Sequence, residues 1–450
     1  MFSPQKFNLS MKRLLSLVLC ASTAWGATAQ SSGDYVPTAE NIAARQEFSD
    51  SRFGIFLHWG IYSMFGQGEW YMQNDGIDRH EYAKAADAFY PHRFDAKQWV
   101  SAFKAAGARY ICFTTRHHDG FSMWDTKQSD FNIMNTPYGK DIVRQLADEC
   151  HRQGIGLHLY YSHIDWTRDD YPTGVTGVNT GKDRTKEDWK SYYRFMNAQL
   201  TELLTQYGKV NGIWFDGWWD HKDDPVPFNW ELPEQYALIH RLQPACIVGN
   251  NHHQSPNPGE DMQMFERDIP GENKAGMSGQ AVGNLPLETC QTMNGMWGYR
   301  VKDQNYKSTR DLLRLLVRTS GKGANLLLNI GPQPNGELPA LAMERLAEMG
   351  KWLNGPAGES IYATVAGEVT QGDSIVSTRS RKTDALYLHL LTQTPQQSVT
   401  VSWKGKVKSV SSLTSGLKLD YKRNKKAGTL TISIPDMKAN EVDYVIKVQP

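Results

Sequence analysis

The sequence predicts an α/β fold, a (β/α)8-like TIM barrel followed by a C-terminal antiparallel β-sandwich. Short apolar runs ending in polar or acidic residues recur through the first three-quarters of the chain, with helix-like stretches between them. Strand, polar tip, helix, strand is the grammar of a barrel or a doubly wound sheet. Polar residues gathered at strand tips favour the barrel, whose active site is built there. From about residue 361 the texture changes to short alternating segments divided by turn residues, as in an antiparallel sandwich.

The elements follow in order. Arg52-Phe53-Gly54-Ile55-Phe56-Leu57-His58-Trp59-Gly60 is an apolar run ending in His-Trp-Gly, and the run from Tyr110 ends in His117-His118-Asp119-Gly120. A helix over 141–153 places Ile142, Val143, Leu146, Ala147 and Cys150 at helical spacing, and Gly154 stops it. Gly156-Leu157-His158-Leu159-Tyr160-Tyr161-Ser162 is the next strand, then Gly212-Ile213-Trp214-Phe215-Asp216-Gly217. Strand side chains alternate, so Trp214 and Asp216 share one face and Ile213 and Phe215 the other. The last barrel strand is Asn325 to Pro332, and a helix over 339–353 ends at Asn354-Gly355-Pro356. The barrel domain is placed at 36–360 and the sandwich at 361–450, with strands over 385–391, 398–403, 429–434 and 443–448. The stretch 165–183, rich in Asp, Gly and Thr, reads as a long barrel loop.

The chain has 450 residues and a net charge of +1, without a basic stripe, so nucleic-acid and anionic-membrane binding have no electrostatic support. Aromatics make up 11%, with 14 Trp, which suits flat faces stacking on sugar rings and also plain core packing. Residues 1–29 read as a secretory signal peptide: Lys12 and Arg13, an apolar stretch over 14–21 too short to span a bilayer, then Ala27-Thr28-Ala29 before Gln30. A periplasmic or secreted protein is expected. Cys20 raises lipidation, but the bulky Leu19 precedes it. The remaining cysteines, 112, 150, 246 and 290, read as inert core thiols.

These residues resemble glycoside hydrolase family 29, the retaining α-L-fucosidases, over essentially the whole mature chain. The likeness runs through Phe53 to Gly60, Glu69-Trp70-Tyr71, His117 to Phe121, Tyr160-Tyr161-Ser162 and Trp214 to Gly217. It continues through Glu288-Thr289-Cys290, Trp297-Gly298-Tyr299 and Gly323 to Pro332. The resemblance implies a TIM-like barrel followed by a sandwich, no cofactor, and a fucosylated oligosaccharide or glycoconjugate as substrate. It implies that Asp216 is the nucleophile and that His58, Glu69, Trp70, His117, His118, Tyr160 and Trp214 line the fucose pocket.

A retaining glycosidase needs two carboxyl groups about 5–5.5 Å apart, one attacking the anomeric carbon and one protonating the leaving oxygen. Glu266 is the first candidate for the acid, because it resembles the Glu that follows a short strand in many relatives. Glu288 is the second, and Glu260, Asp268 and Glu272 stay open. One departure follows the fifth strand: many relatives carry Asn-x-Arg there, and this chain has Asn250-Asn251-His252-His253. Fucose recognition is then reshaped, or Arg267 substitutes, and linkage preference stays open. His117-His118 with His58 and Asp216 would be a metal site only if their spacing allowed it. Adjacent strand residues face opposite ways and the usual ligand spacings are missing, so no metal is expected. A fucose-binding barrel with a degenerate site is the alternative from another class.

Overall fold

The computed structural model describes residues 35–450. The signal-peptide reading therefore lies outside the described residues. Eight strands form the first sheet: β1 (Phe53–Leu57), β2 (Tyr110–Arg116), β3 (Gly156–Ser162), β4 (Gly212–Asp216), β5 (Ile247–Asn250), β6 (Gln263–Glu266), β7 (Leu287–Thr292) and β8 (Ala324–Ile330). Their order is β5-β4-β3-β2-β1-β8-β7-β6 and every pairing is parallel, as in a barrel with one open seam between β5 and β6. Asp261 stitches that seam. Its N–H donates to the Val248 carbonyl at 2.7 Å, and its carboxylate accepts the Val248 N–H at 2.8 Å.

Most of the strands are buried on both faces and read as apolar runs, while β6 and β7 carry polar residues such as Gln263, Glu288 and Gln291. Phe56, Tyr110, Cys112, Tyr160, Trp214, Met264, Cys290 and Leu327 pack inside the barrel. Ile55, Ile111, Phe113, Leu159, Ile213, Phe215 and Leu326 pack outward on the helices. Trp214 and Phe215 thus fall on opposite faces, as strand alternation requires. The interior admits large rings only beside small residues: a Cβ on Gly54 would sit 2.5 Å from the Tyr110 ring.

The helix Ile142–Gln153 shows how the surrounding layer is specified. The Asp141 carboxylate caps its start by accepting the Arg144 N–H, Gly154 ends it at φ 71°, and Ile142, Val143, Leu146, Ala147 and Cys150 are its buried side. All four cysteines among the described residues are buried and free.

Beyond the helix Ala340–Leu353 come β9 (Thr364–Ala366), β10 (Ile375–Ser380), β11 (Leu386–Leu390), β12 (Ser398–Ser402), β13 (Ser409–Ser412), β14 (Tyr421–Asn424), β15 (Thr429–Ser433) and β16 (Tyr444–Gln449). They form antiparallel sheets of order β13-β16-β11-β10-β9 and β12-β15-β14. Leu386, Leu388, Leu390, Val399, Val401, Leu430 and Ile432 fill the space between them. Both halves expected from the sequence are present. Arg314, on the barrel helix Thr309–Gly321, donates to the Val442 carbonyl at 2.9 Å and ties the two together.

Candidate active site

A cavity of about 300 Å³ opens at the C-terminal ends of the strands. Its walls are Phe56, His58, Trp70, His117, His118, Trp214, Asp216, Trp219, Lys222, Asn251, His253, Glu266, Met277 and Trp297. This is the face on which barrel enzymes assemble their chemistry.

Asp216 ends β4 and Gly217 makes the turn after it. Gly217 has φ 105°, a backbone region natural to glycine, and its N–H folds back to Asp216 Oδ1 at 2.9 Å. The same oxygen accepts from Trp219 Nε1 at 3.1 Å and Asn251 Nδ2 at 3.4 Å, while Oδ2 accepts the Tyr160 hydroxyl at 3.0 Å. These donors suit a carboxylate anion. Burial first, and then the charge of Glu266, nevertheless push the Asp216 carboxyl up to about 7.

Glu266 ends β6, directly across the seam. Asn251 Nδ2 donates to its Oε2 at 2.8 Å, so one amide touches both carboxylates. His253 Nε2 stands 3.6 Å from the same Oε2. Between these two residues, His252 is buried against Glu260 at 3.0 Å, which also accepts from Tyr236 and Asn257. Glu260 is thereby occupied in anchoring the loop. Asp268 accepts the Lys274 and Ala275 N–H groups, and Glu272 pairs with Lys274. Glu288 lies near the start of β7, deep in the barrel, where it accepts from Tyr110 at 2.6 Å and Trp214 Nε1 at 2.9 Å. Burial raises it to about 7. None of these four acids lines the cavity.

The histidines have readable protons. His58 Nδ1 lies 2.7 Å from Asn329 Oδ1, and the Asn329 amide donates to the Trp297 carbonyl, so Nδ1 donates and Nε2 carries no proton. Ser162 gives its hydroxyl proton to the Ile164 carbonyl, so His118 Nδ1 must donate to Ser162 Oγ at 2.6 Å. That leaves His118 Nε2 as an acceptor, 3.6 Å from Asp216 Oδ2. Burial holds both imidazoles down to about 3, and His117 well below its ordinary value. His117 stacks on Tyr160 at 5.6 Å, and its Nδ1 is buried without a partner. The strand end that carries the pair is pinned by the fully buried Arg116–Asp165 ion pair and by the Trp166 N–H on the His118 carbonyl.

Of the pocket residues expected from the sequence, His58, Trp70, His117, His118 and Trp214 line the cavity together with Asp216 and Glu266. Tyr160 sits behind Asp216 and meets it through its hydroxyl. Glu69 is buried beside Trp70, where it accepts the Gly298 N–H at 2.6 Å. Phe56, Trp219, Lys222, Asn251, His253, Met277 and Trp297 complete the wall, and the sequence reading does not assign them to the pocket. Trp219 stacks on Trp70 at 5.6 Å, extending an aromatic side. Arg267 turns away and stacks on Trp297 at 4.9 Å. Among the described residues, no group of three or more His, Cys, Asp or Glu is placed to hold a metal ion.

A parallel barrel whose strand tips bring two carboxylates into a sugar-sized, aromatic- and imidazole-walled cavity defines a glycoside hydrolase. The chain belongs to the α-L-fucosidase family, whose family model, described as Alpha-L-fucosidase, matches residues 22–357. Plasma alpha-L-fucosidase of Homo sapiens is 29% identical over 369 residues, covering 75% of this chain and 73% of that protein. Alpha-L-fucosidase isoenzyme 1 from Paenibacillus thiaminolyticus superposes with a TM-score of 0.80 at 30% identity, covering 91% of this chain and 99% of that one. A family 29 fucosidase from Bacteroides thetaiotaomicron, solved as a trapped covalent intermediate with 2-fluoro-fucosyl fluoride, gives 0.77 at 26% identity, with 90% and 96% covered.

Proposed function

We propose that this glycoside hydrolase is an exo-acting, retaining α-L-fucosidase that removes terminal α-linked L-fucose from glycans through a covalent fucosyl-Asp216 intermediate. The observation that carries the reading is Asn251 Nδ2, 3.4 Å from Asp216 Oδ1 and 2.8 Å from Glu266 Oε2. One oxygen of each carboxyl group then lies no more than about 6 Å from the other, near the spacing of retaining enzymes and short of the wider gap that inverting ones need for water.

In the first step ionised Asp216 attacks the anomeric carbon as the glycosidic C–O bond breaks, and Glu266 gives its proton to the leaving oxygen. Glu266, now a carboxylate, takes a proton from water as the water attacks the same carbon. The Asp216–fucosyl bond breaks, and Glu266 regains its proton. A sugar hydroxyl within reach of His118 Nε2 would donate to the unprotonated imidazole. His58, His117, Trp70 and Trp214 form the rest of the ring pocket. Tyr160 holds Asp216, and Glu69 fixes the chain beside Trp70 through Gly298. The aromatic-sided cavity of about 300 Å³ fits a single ring with an apolar methyl, which favours cleavage at chain ends. We also propose an exported protein, periplasmic or secreted, on the signal-like sequence over 1–29.

A panel of fucosylated oligosaccharides set beside an aryl α-L-fucoside tests the activity, with proton NMR of the first-formed sugar. Release of α-L-fucose before mutarotation is the expected result. Initial release of the β-anomer would exclude double displacement.

A further inference from the structure

The segment Asn251-His252-His253 puts three polar side chains in a row, and each has a different destination. His252 turns down onto buried Glu260 and anchors the segment. Asn251 reaches Asp216 and Glu266. His253 has φ 60°, a left-handed backbone that non-glycine residues rarely hold, and it brings Nε2 to 3.6 Å from Glu266 Oε2. The residue after Glu266, Arg267, is also left-handed at φ 61°, and that turn sends its guanidinium onto Trp297 and away from the acid.

We infer that His253 is a positioning residue for Glu266, a neutral partner that holds its Oε2 edge whether Glu266 carries a proton or not. The inference rests on Glu266 being the acid/base of the proposed reaction. Asn251 offers Oε2 an N–H donor at 2.8 Å. A neutral imidazole has one donor and one acceptor nitrogen. With its proton on Nε2, it presents a donor to Oε2 both while Oε1 carries the acid proton and after that proton has gone to the leaving oxygen. A permanent cation at this position would instead hold the acid ionised. The charged and titratable groups facing the pair are Asp216, Glu69, Tyr160 and Cys290 on the Glu266 side, and His252 and Lys222 on the His253 side. Burial, His252 and Lys222 keep the His253 imidazole below its ordinary value against the pull of Glu266, consistent with a neutral ring. His253 Nδ1 is buried without a partner while Nε2 faces a carboxyl oxygen, so Nε2 is the nitrogen that holds the proton.

Three variants test this: His253→Ala, His253→Gln and His253→Lys. Each is assayed for kcat/KM against pH, with aryl fucosides of good and poor leaving groups. Glutamine, uncharged with both donor and acceptor, should stay near wild type. Alanine should lose about 10-fold on poor leaving groups and little on activated ones. Lysine should move the alkaline limb down by about 1–3 pH units. Equal losses across leaving groups in Ala and Gln, or an unmoved limb in folded His253→Lys, would overturn the inference. Glu266→Ala is run alongside. If it shows no leaving-group dependence, the acid assignment itself fails. If it does and the His253 variants behave alike, only the role of His253 falls.

Discussion

The Tyr160 hydroxyl donates to Asp216 Oδ2 at 3.0 Å, between the neighbouring strands β3 and β4. Tyr160 pairs with Trp214 in register, and Asp216 is the next residue on that inner face. A hydrogen bond to the anion favours the ionised form, so Tyr160→Phe removes support for a carboxyl group already raised to about 7. The acid limb of kcat/KM should move to higher pH, with a loss of about 10–100-fold at neutral pH. A pH–rate profile checks it; an unmoved limb would count against Asp216 as the group that must be ionised.

The raised carboxyl at Asp216 has a cost in stability. Its folded value of about 7 lies above the ordinary 3.8, so the native state holds the extra proton between those limits. The contribution is fully present below about pH 4 and is lost as pH rises through 7, by at most about 4 kcal/mol. Asp216→Asn removes the charge and keeps the shape. The variant should melt higher than wild type above pH 7, with the difference fading towards pH 4, while turnover nearly vanishes. Thermal melts across that range, with fucose binding by calorimetry, test both halves. A lower melting point at pH 8 would contradict the burial argument.

Export is read from residues 1–29 alone. The mature chain should begin near Gln30, and mass spectrometry of the processed protein decides it. A diacylglyceryl mass on Cys20 would show a lipoprotein instead.

The strand-tip residues were legible because two simple rules act together: a buried parallel strand is an apolar run, and its last residues enter the mouth of the barrel. Asp216, His58, His117 and His118 all follow from that. Lys222, Asn251, His253 and Met277 come from loops and Trp219 from the one-turn 3-10 helix Trp218–His221, where no periodicity says which way a side chain turns. Trp219 had a signal, since it stands three residues beyond Asp216 in the turn that Gly217 begins. Strand β14, Tyr421–Asn424, is polar and exposed on nearly every residue, so only its pairing with β15 makes it a strand. Glu266 and Glu288 differ in a way that depends on strand boundaries. One is the last residue of β6 and reaches the mouth, while the other is the second residue of β7 and stays among Tyr110 and Trp214.

That difference in depth makes the two acids separable by experiment. Glu266→Ala should slow substrates with poor leaving groups by about 10²–10⁴-fold and spare activated aryl fucosides, because only a poor leaving group needs a proton to depart. The same residue must act as base towards water, so azide, which needs none, should accelerate the variant and give the α-fucosyl azide after two inversions. Azide rescue of a truncated Asp216 variant would give the β-product after one. Glu288→Ala should behave otherwise. It strands the Tyr110 hydroxyl and the Trp214 indole N–H inside the barrel, at about 1–3 kcal/mol for each unpaired donor. It should lower the melting temperature and slow all substrates by a similar factor, without azide rescue. Leaving-group dependence with α-azide formation in Glu288→Ala, and its absence in Glu266→Ala, would reverse the assignment.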